Sequence, residues 1–179
     1  MKFRNLALIL LACAALVSCG ASKKAVKPVN TYVQPGYELL NAKNTLRAWA
    51  VGVSDSEMTA KKKAMTDASS QLAQILQKTV TTTVEQYCVS LSESEAAKSK
   101  KFFNEKIAIV SKAVLQGAVP IFDEWEAKGA DGMYRNYIVL ELSKDKFINK
   151  LIEEMDKTDV KIDEKLLNEL FLKAINSDK

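Results

Sequence analysis

Leu46-Arg47-Ala48-Trp49-Ala50-Val51-Gly52-Val53, followed by Ser54-Asp55-Ser56-Glu57 and then by alanine at 60, 64 and 68, decides how this chain folds. The first eight residues are short, apolar and bounded by turn formers, which reads as a largely buried strand. Gly52 near its end marks a bulge or a place where another backbone comes close. Ser54 with Glu57 three positions on matches a capping box, so a helix is expected to open with Ser54 as its N-cap. From there to about Tyr87, apolar and small residues recur at helical spacing: Ala60, Ala64, Ala68, Leu72, Ile75 and Leu76, Thr79, Thr83, Tyr87. The alanines let this helix lie close to a sheet, and Leu and Ile take over where the gap widens. Threonines at 79 and 81–83 lower helix propensity and leave the last turns open. Lys61-Lys62-Lys63 cannot converge on one ligand, because helical neighbours point about 100° apart. Glu57 is placed to pair with Lys61 on a solvated face.

Toward the C-terminus, Ser92-Glu93-Ser94-Glu95 starts a second helix with Phe103, Ile107, Val110 and Val114 as its apolar stripe, and Gly117 stops it. Residues 118–127 and 133–142 are aromatic and β-branched runs around Lys128-Gly129-Ala130-Asp131-Gly132, the pattern of a β-hairpin. Pro120 puts the first of these strands at a sheet edge or marks its beginning. Ser143 caps a helix carrying Phe147, Leu151 and Met155, and Asp163 or a neighbour opens a last helix with Leu166/Leu167, Leu170/Phe171 and Ala174/Ile175 as its apolar positions. With 179 residues there is room for one ordinary domain. The expected architecture is α+β: a small, mostly antiparallel sheet of one strand plus a hairpin, packed on one face by long helices, with an added C-terminal helix, over residues 45–179.

Toward the N-terminus the composition changes. Lys2 and Arg4 precede an uncharged apolar run from Leu6 to Val17, 12 residues long. A membrane-spanning helix needs about 20 apolar residues, so this run has the length of a secretory signal core. It ends in Leu16-Val17-Ser18-Cys19, which looks like the lipobox of bacterial lipoproteins. That resemblance implies removal of residues 1–18 and acylation of Cys19. Leu10-Leu11-Ala12-Cys13 also satisfies the pattern but leaves a core of seven residues, so core length favours Cys19. Residues 19–44, with Pro28, Pro35 and Gly36, read as the lipidated N-terminus and a flexible tether. Tyr32, Tyr37 and Leu39-Leu40 are apolar enough for its second half to dock on the domain. Lys23, Lys24 and Lys27 keep the tether solvated or attract anionic headgroups.

The composition excludes much chemistry. With His 0, neither a Ser-His-Asp nor a Cys-His catalytic arrangement is possible, and no histidine-ligated metal. Lys+Arg 26 against Asp+Glu 22 gives +4, and loss of Lys2 and Arg4 would leave 24 basic residues, so no nucleic-acid partner is implied. After processing, Cys88 would be the remaining thiol, unable to form an intramolecular disulfide or a zinc site and read as packing. No phosphate-binding or nucleophile-elbow motif occurs, and no cofactor is expected. The best catalytic candidates are acidic: Asp123, Glu124 and Glu126 on the first hairpin strand and Asp131 in its turn, of which Glu124 and Glu126 share one face about 6.5–7 Å apart and flank Trp125. Glycosidases work with carboxylate pairs at comparable separations, whereas alternating acids are also what a solvent-facing hairpin displays. Trp49, Trp125, Tyr134 and Tyr137 could form a glycan-stacking surface, or pack within and across strands.

Arg47–Leu76 resembles the core of the LPP-twenty family of outer-membrane lipoproteins, on Ala50-x-Gly52, the serine or acidic cap, the alanines at 60, 64 and 68, and Leu72-Ala73 with Ile75. The order strand–helix–helix–hairpin–helix and the lipobox match as well, over about residues 40–156. The resemblance implies a fold like the amino-terminal domain of a periplasmic flagellar-ring protein, and an envelope role without established catalysis. The threonine run and the last helix depart from the family pattern. The expectation is a lipid-anchored, non-catalytic protein of the outer membrane, on its periplasmic side or at the cell surface. Membrane contact runs through the lipid and the protein partners are unspecified. The alternative is a tethered peptidoglycan hydrolase or glycan binder.

Overall fold

A computed structural model describes residues 34–126 and 128–177. Cys13, Cys19, the signal sequence and the tether through residue 33 lie outside the described residues. The elements are a short 3-10 helix Tyr37–Asn41, β1 Thr45–Ser54, α1 Glu57–Val89, α2 Glu93–Leu115, β2 Val119–Glu126, β3 Tyr134–Ser143, α3 Lys144–Met155 and α4 Glu164–Ser177. The strands form one antiparallel sheet in the order β1-β3-β2. This is the expected α+β arrangement, with β1 and β3 packed against α1 and a C-terminal helix added.

β1 is buried on alternate residues and not throughout. Leu46, Ala48, Ala50 and Gly52 face α1, with Ile138, Leu140 and Leu142 beside them on β3. The register is continuous over ten pairs, from Thr45 opposite Ser143 to Ser54 opposite Tyr134. That last pair is why Ser54 does not cap the helix. Ladder pairing keeps it in the strand, Ser56 takes the N-cap position with an extended backbone, and α1 opens at Glu57.

A helix of 33 residues is about 50 Å long, against about 33 Å for a ten-residue strand. The N-terminal half of α1 therefore covers the sheet on its alanines. Its C-terminal half overhangs and needs other cover, which α2 and α4 supply. Tyr87 shows the join: its ring meets Phe103 of α2 edge-on at 5.9 Å, and its hydroxyl accepts from the Asp163 backbone N–H at 2.8 Å. Phe147 of α3 stacks on Phe171 of α4 at 5.0 Å. The threonine run is helical, and Thr79 and Thr83 donate back to the carbonyls of Ile75 and Thr79 at 2.9 and 2.7 Å, which satisfies their buried hydroxyls.

Residues 34–44, expected as tether, belong to the folded unit. Residues 35–39 lie on the face of the sheet opposite α1, while Leu40 and Asn41 border a hollow with Ile75 of α1 and Ile175 of α4, and Asn44 bonds Asn176. Trp49 Nε1 donates to the Pro35 carbonyl at 2.8 Å, Arg47 Nη1 donates to the Leu39 carbonyl at 2.6 Å, and Tyr37 meets Trp49 edge-on at 5.6 Å. The apolar second half of the supposed linker thus covers the outer ring row of the sheet.

Candidate functional site

The hairpin is where sequence reasoning placed its candidates, and its two faces differ. Pairing puts Phe122, Glu124 and Glu126 opposite Val139, Tyr137 and Arg135, on the outer face. Asp123 and Trp125 lie opposite Ile138 and Asn136, on the α1 side. Glu124 and Glu126 do share a face, as their spacing predicts. Both are exposed on an edge strand, and Glu126 is already engaged, accepting from the Tyr137 hydroxyl at 2.5 Å. A carboxyl that serves as a general acid near neutral pH is normally raised by a dry pocket. Neither glutamate sits in one.

Asp123 is the acid with built surroundings. The fully buried Asn136 donates from Nδ2 to Asp123 Oδ1 at 2.8 Å and to the Glu124 carbonyl at 3.1 Å. Lys61 of α1 pairs with the other carboxylate oxygen, so it reaches β2 where the sequence suggested Glu57 as its partner. Partial burial pushes the Asp123 carboxyl up, but the hydrogen bonds from Asn136 and Lys61 and the lysine charge together hold it below the ordinary carboxylate range. This network ties an edge strand to the start of α1.

The four aromatic candidates do not form one surface. Trp49 and Tyr137 lie together on the outer face, centroids 6.2 Å apart, under the 34–41 segment. Trp125 and Tyr134 point to the α1 side, where the Lys128 ammonium sits 5.2 Å from the Tyr134 ring. Trp125 remains 40% exposed at the sheet margin. A sugar could not stack on all four at once.

Two hollows lie among the helices. One of about 750 Å³ runs between α1 and α2, with Ala73, Gln77 and Thr81 on one wall and Phe103, Ile107 and Ser111 on the other. A second, about 380 Å³, is bordered by Cys88, Ala97 and Lys100. Burial pushes the Cys88 thiol up, against the weaker opposite pull of Lys100, so it is a poor thiolate and a packing residue. Among the described residues no cluster of three or more metal-ligating side chains occurs. No described helix is long and apolar enough to cross a membrane.

Sequence reasoning missed Asn136, whose polar side chain on an apolar strand was the available signal, and the Pro35-Gly36 turn, where Gly36 has φ +78°. Comparison with known protein families, with curated proteins and with solved structures returned no match for this chain.

Proposed function

We propose that this chain is a lipid-anchored protein of the bacterial cell envelope, of the LPP-twenty type, whose α+β domain binds or scaffolds and does not catalyse. The observation that carries the reading is Leu16-Val17-Ser18-Cys19 closing a 12-residue apolar core behind two cations. Two or three acyl chains, at about 0.8 kcal/mol per buried methylene, hold a soluble domain on a bilayer almost permanently. Gly20 in the position after the cysteine is not the aspartate that retains enterobacterial lipoproteins in the inner membrane, so the outer membrane is the proposed address. With residues from Gln34 onward folded on the sheet, the stretch from Cys19 to Val33 reaches at most about 50 Å when extended. The domain then works close to the membrane that holds it, with the 34–41 segment on the anchored side of the chain.

The experiment is Cys19→Ala with metabolic palmitate labelling and membrane fractionation. Loss of label and release from membranes is the expected result; undiminished labelling moves the site to Cys13 or refutes lipidation. The shared face of Glu124 and Glu126 favours a second reading, a cell-wall hydrolase. Zymography on peptidoglycan with the Glu124→Ala, Glu126→Ala double variant decides it: clearing by the native chain that the variant loses would overturn the non-catalytic reading.

A further inference from the structure

The sheet has two edges, and they are finished differently. β2 carries the devices that keep a strand from pairing with a neighbour: Pro120, a register irregularity between Pro120 and Phe122, and the acids Asp123, Glu124 and Glu126. β1 at the other edge carries none of them. It is ten residues long, with no proline and an unbroken register to β3. Its one charge, Arg47, is neutralised within the domain by Glu141 and the Leu39 carbonyl. Among the described elements β1 packs against α1, β3 and the 34–41 segment, which cover its two faces and its inner edge. Among the described residues, the contacts at its outer edge fall toward its ends: Lys63 donates to the Val53 carbonyl at 3.0 Å, Thr45 is engaged, Leu40, Asn41 and Lys78 border a hollow with Thr45–Arg47, and Asn176 Nδ2 donates to Asn44 Oδ1 at 3.1 Å.

We infer that β1 is a self-association edge, and that its occupant is β1 of a second copy of this chain, paired antiparallel about a two-fold axis. The strand is self-complementary in the way this requires. Opposite residues of an antiparallel pair lie on the same side of a sheet, so an axis through a residue keeps both α1 layers on one side, and Trp49 and Ala50 are the two residues at the middle of β1. About Trp49, Ala48 meets Ala50, Leu46 meets Gly52 and Arg47 meets Val51; about Ala50, Ala48 meets Gly52, Trp49 meets Val51 and Arg47 meets Val53. Neither arrangement sets like charges opposite one another, and each continues the apolar α1-facing row from one sheet into the next. The same operation on β2 would set Pro120, which has no N–H, into the new ladder, and about Asp123, Glu124 or Trp125 would bring acid against acid. The result is one six-stranded antiparallel sheet with a β2 at each end. The inference goes beyond the envelope reading and does not rest on lipidation.

One strand's edge is smaller than the roughly 800 Å² per partner of a standard interface, so the association is weak and is sought at about 10–500 µM chain. The full chain, extracted in mild detergent, is measured by light scattering and by hydrogen exchange with mass spectrometry across that range. The expected result is a rise from monomer to dimer mass, with exchange in 45–54 slowing as concentration increases and exchange in 119–126 unchanged. Val51→Lys combined with Val53→Lys sets a lysine opposite Arg47 for either axis, and lowers the dimer association constant tenfold or more while circular dichroism stays native. A monomer at every concentration overturns the inference. So does a dimer whose concentration-dependent protection falls on 119–126 or on the α1–α2 groove, and so does a dimer unaffected by the two lysines.

Discussion

Gly52→Ala tests the packing on which the whole domain is built. A Cβ added at this position would stand 1.9 Å from the Ala60 carbonyl oxygen, 2.5 Å from the Ala64 nitrogen and 2.9 Å from the Ala60 carbonyl carbon. All three are backbone atoms of α1, so no side-chain rotation relieves the overlap. The helix must move off the sheet by about 1.5 Å to restore van der Waals spacing, and Ala60 and Ala64, both fully buried, lose their contact with it. Overpacking a well-filled core costs about 1–3 kcal/mol, and an obstruction by rigid backbone belongs at the top of that range. We expect a loss of about 3 kcal/mol in urea denaturation followed by circular dichroism, equivalent to roughly 10 °C in Tm. The opposite sign is the natural rival, since replacing a strand glycine with alanine in open space stabilises by about 0.5–1 kcal/mol. Adding Ala64→Gly should not rescue the variant, because the obstructing atoms are main chain. A neutral or stabilising Gly52→Ala, or its rescue by Ala64→Gly, would refute the close-approach argument.

Asp123 carries a pH dependence: its carboxyl is held below the ordinary range, so its stabilising contribution is complete above the unfolded carboxylate pKa and is lost as pH falls through the lower folded value. Asp123→Asn should therefore be less stable than the native chain at pH 7, with the gap closing in urea midpoints taken down toward pH 3; a gap that stays constant with pH would count against the Lys61–Asp123–Asn136 network. Gly36→Ala forces a side chain onto a residue with φ +78° and sets its Cβ 2.6 Å from the Phe122 ring, so limited proteolysis should cut 34–44 several times faster while the far-ultraviolet spectrum of the domain is kept. Unchanged cleavage would mean that the segment is not held by that turn.

Element type was readable wherever one period dominated locally. Phe147, Leu151 and Met155 face the core as their spacing predicts, and of the paired positions in the last helix Leu167, Phe171, Ala174 and Ile175 are buried while Leu166 and Leu170 are partly so. Pro120 correctly announced an edge strand. The acidic pair Glu124 and Glu126 lies on one face, because strand alternation is a local property. What could not be read was anything set by a partner distant in sequence. Ser54 has a good capping side chain, but its pairing with Tyr134 of β3 outweighs that local preference. Lys61 had a suitable neighbour four residues back, yet Asp123, 62 positions away, is where it lands. The four aromatic candidates looked equivalent in sequence, and only the register of β1, β2 and β3 divides them between two faces.

Read alone, the amino-acid string gives the α+β class, the alanine ladder with a glycine marking either a bulge or a close approach at 52, and the exclusion of histidine chemistry. Each depends on residue type or on spacing within a dozen positions, where covalent geometry and hydrophobic periodicity act directly. Tertiary structure alone decides that residues 35–39 lie on the outer sheet face, that Asp123 and not the glutamate pair has a built environment, and that β1 becomes the second edge of the sheet. Those outcomes depend on which strands become neighbours, and that is determined by the burial free energy of the assembled layers, a quantity that no local stretch of sequence contains.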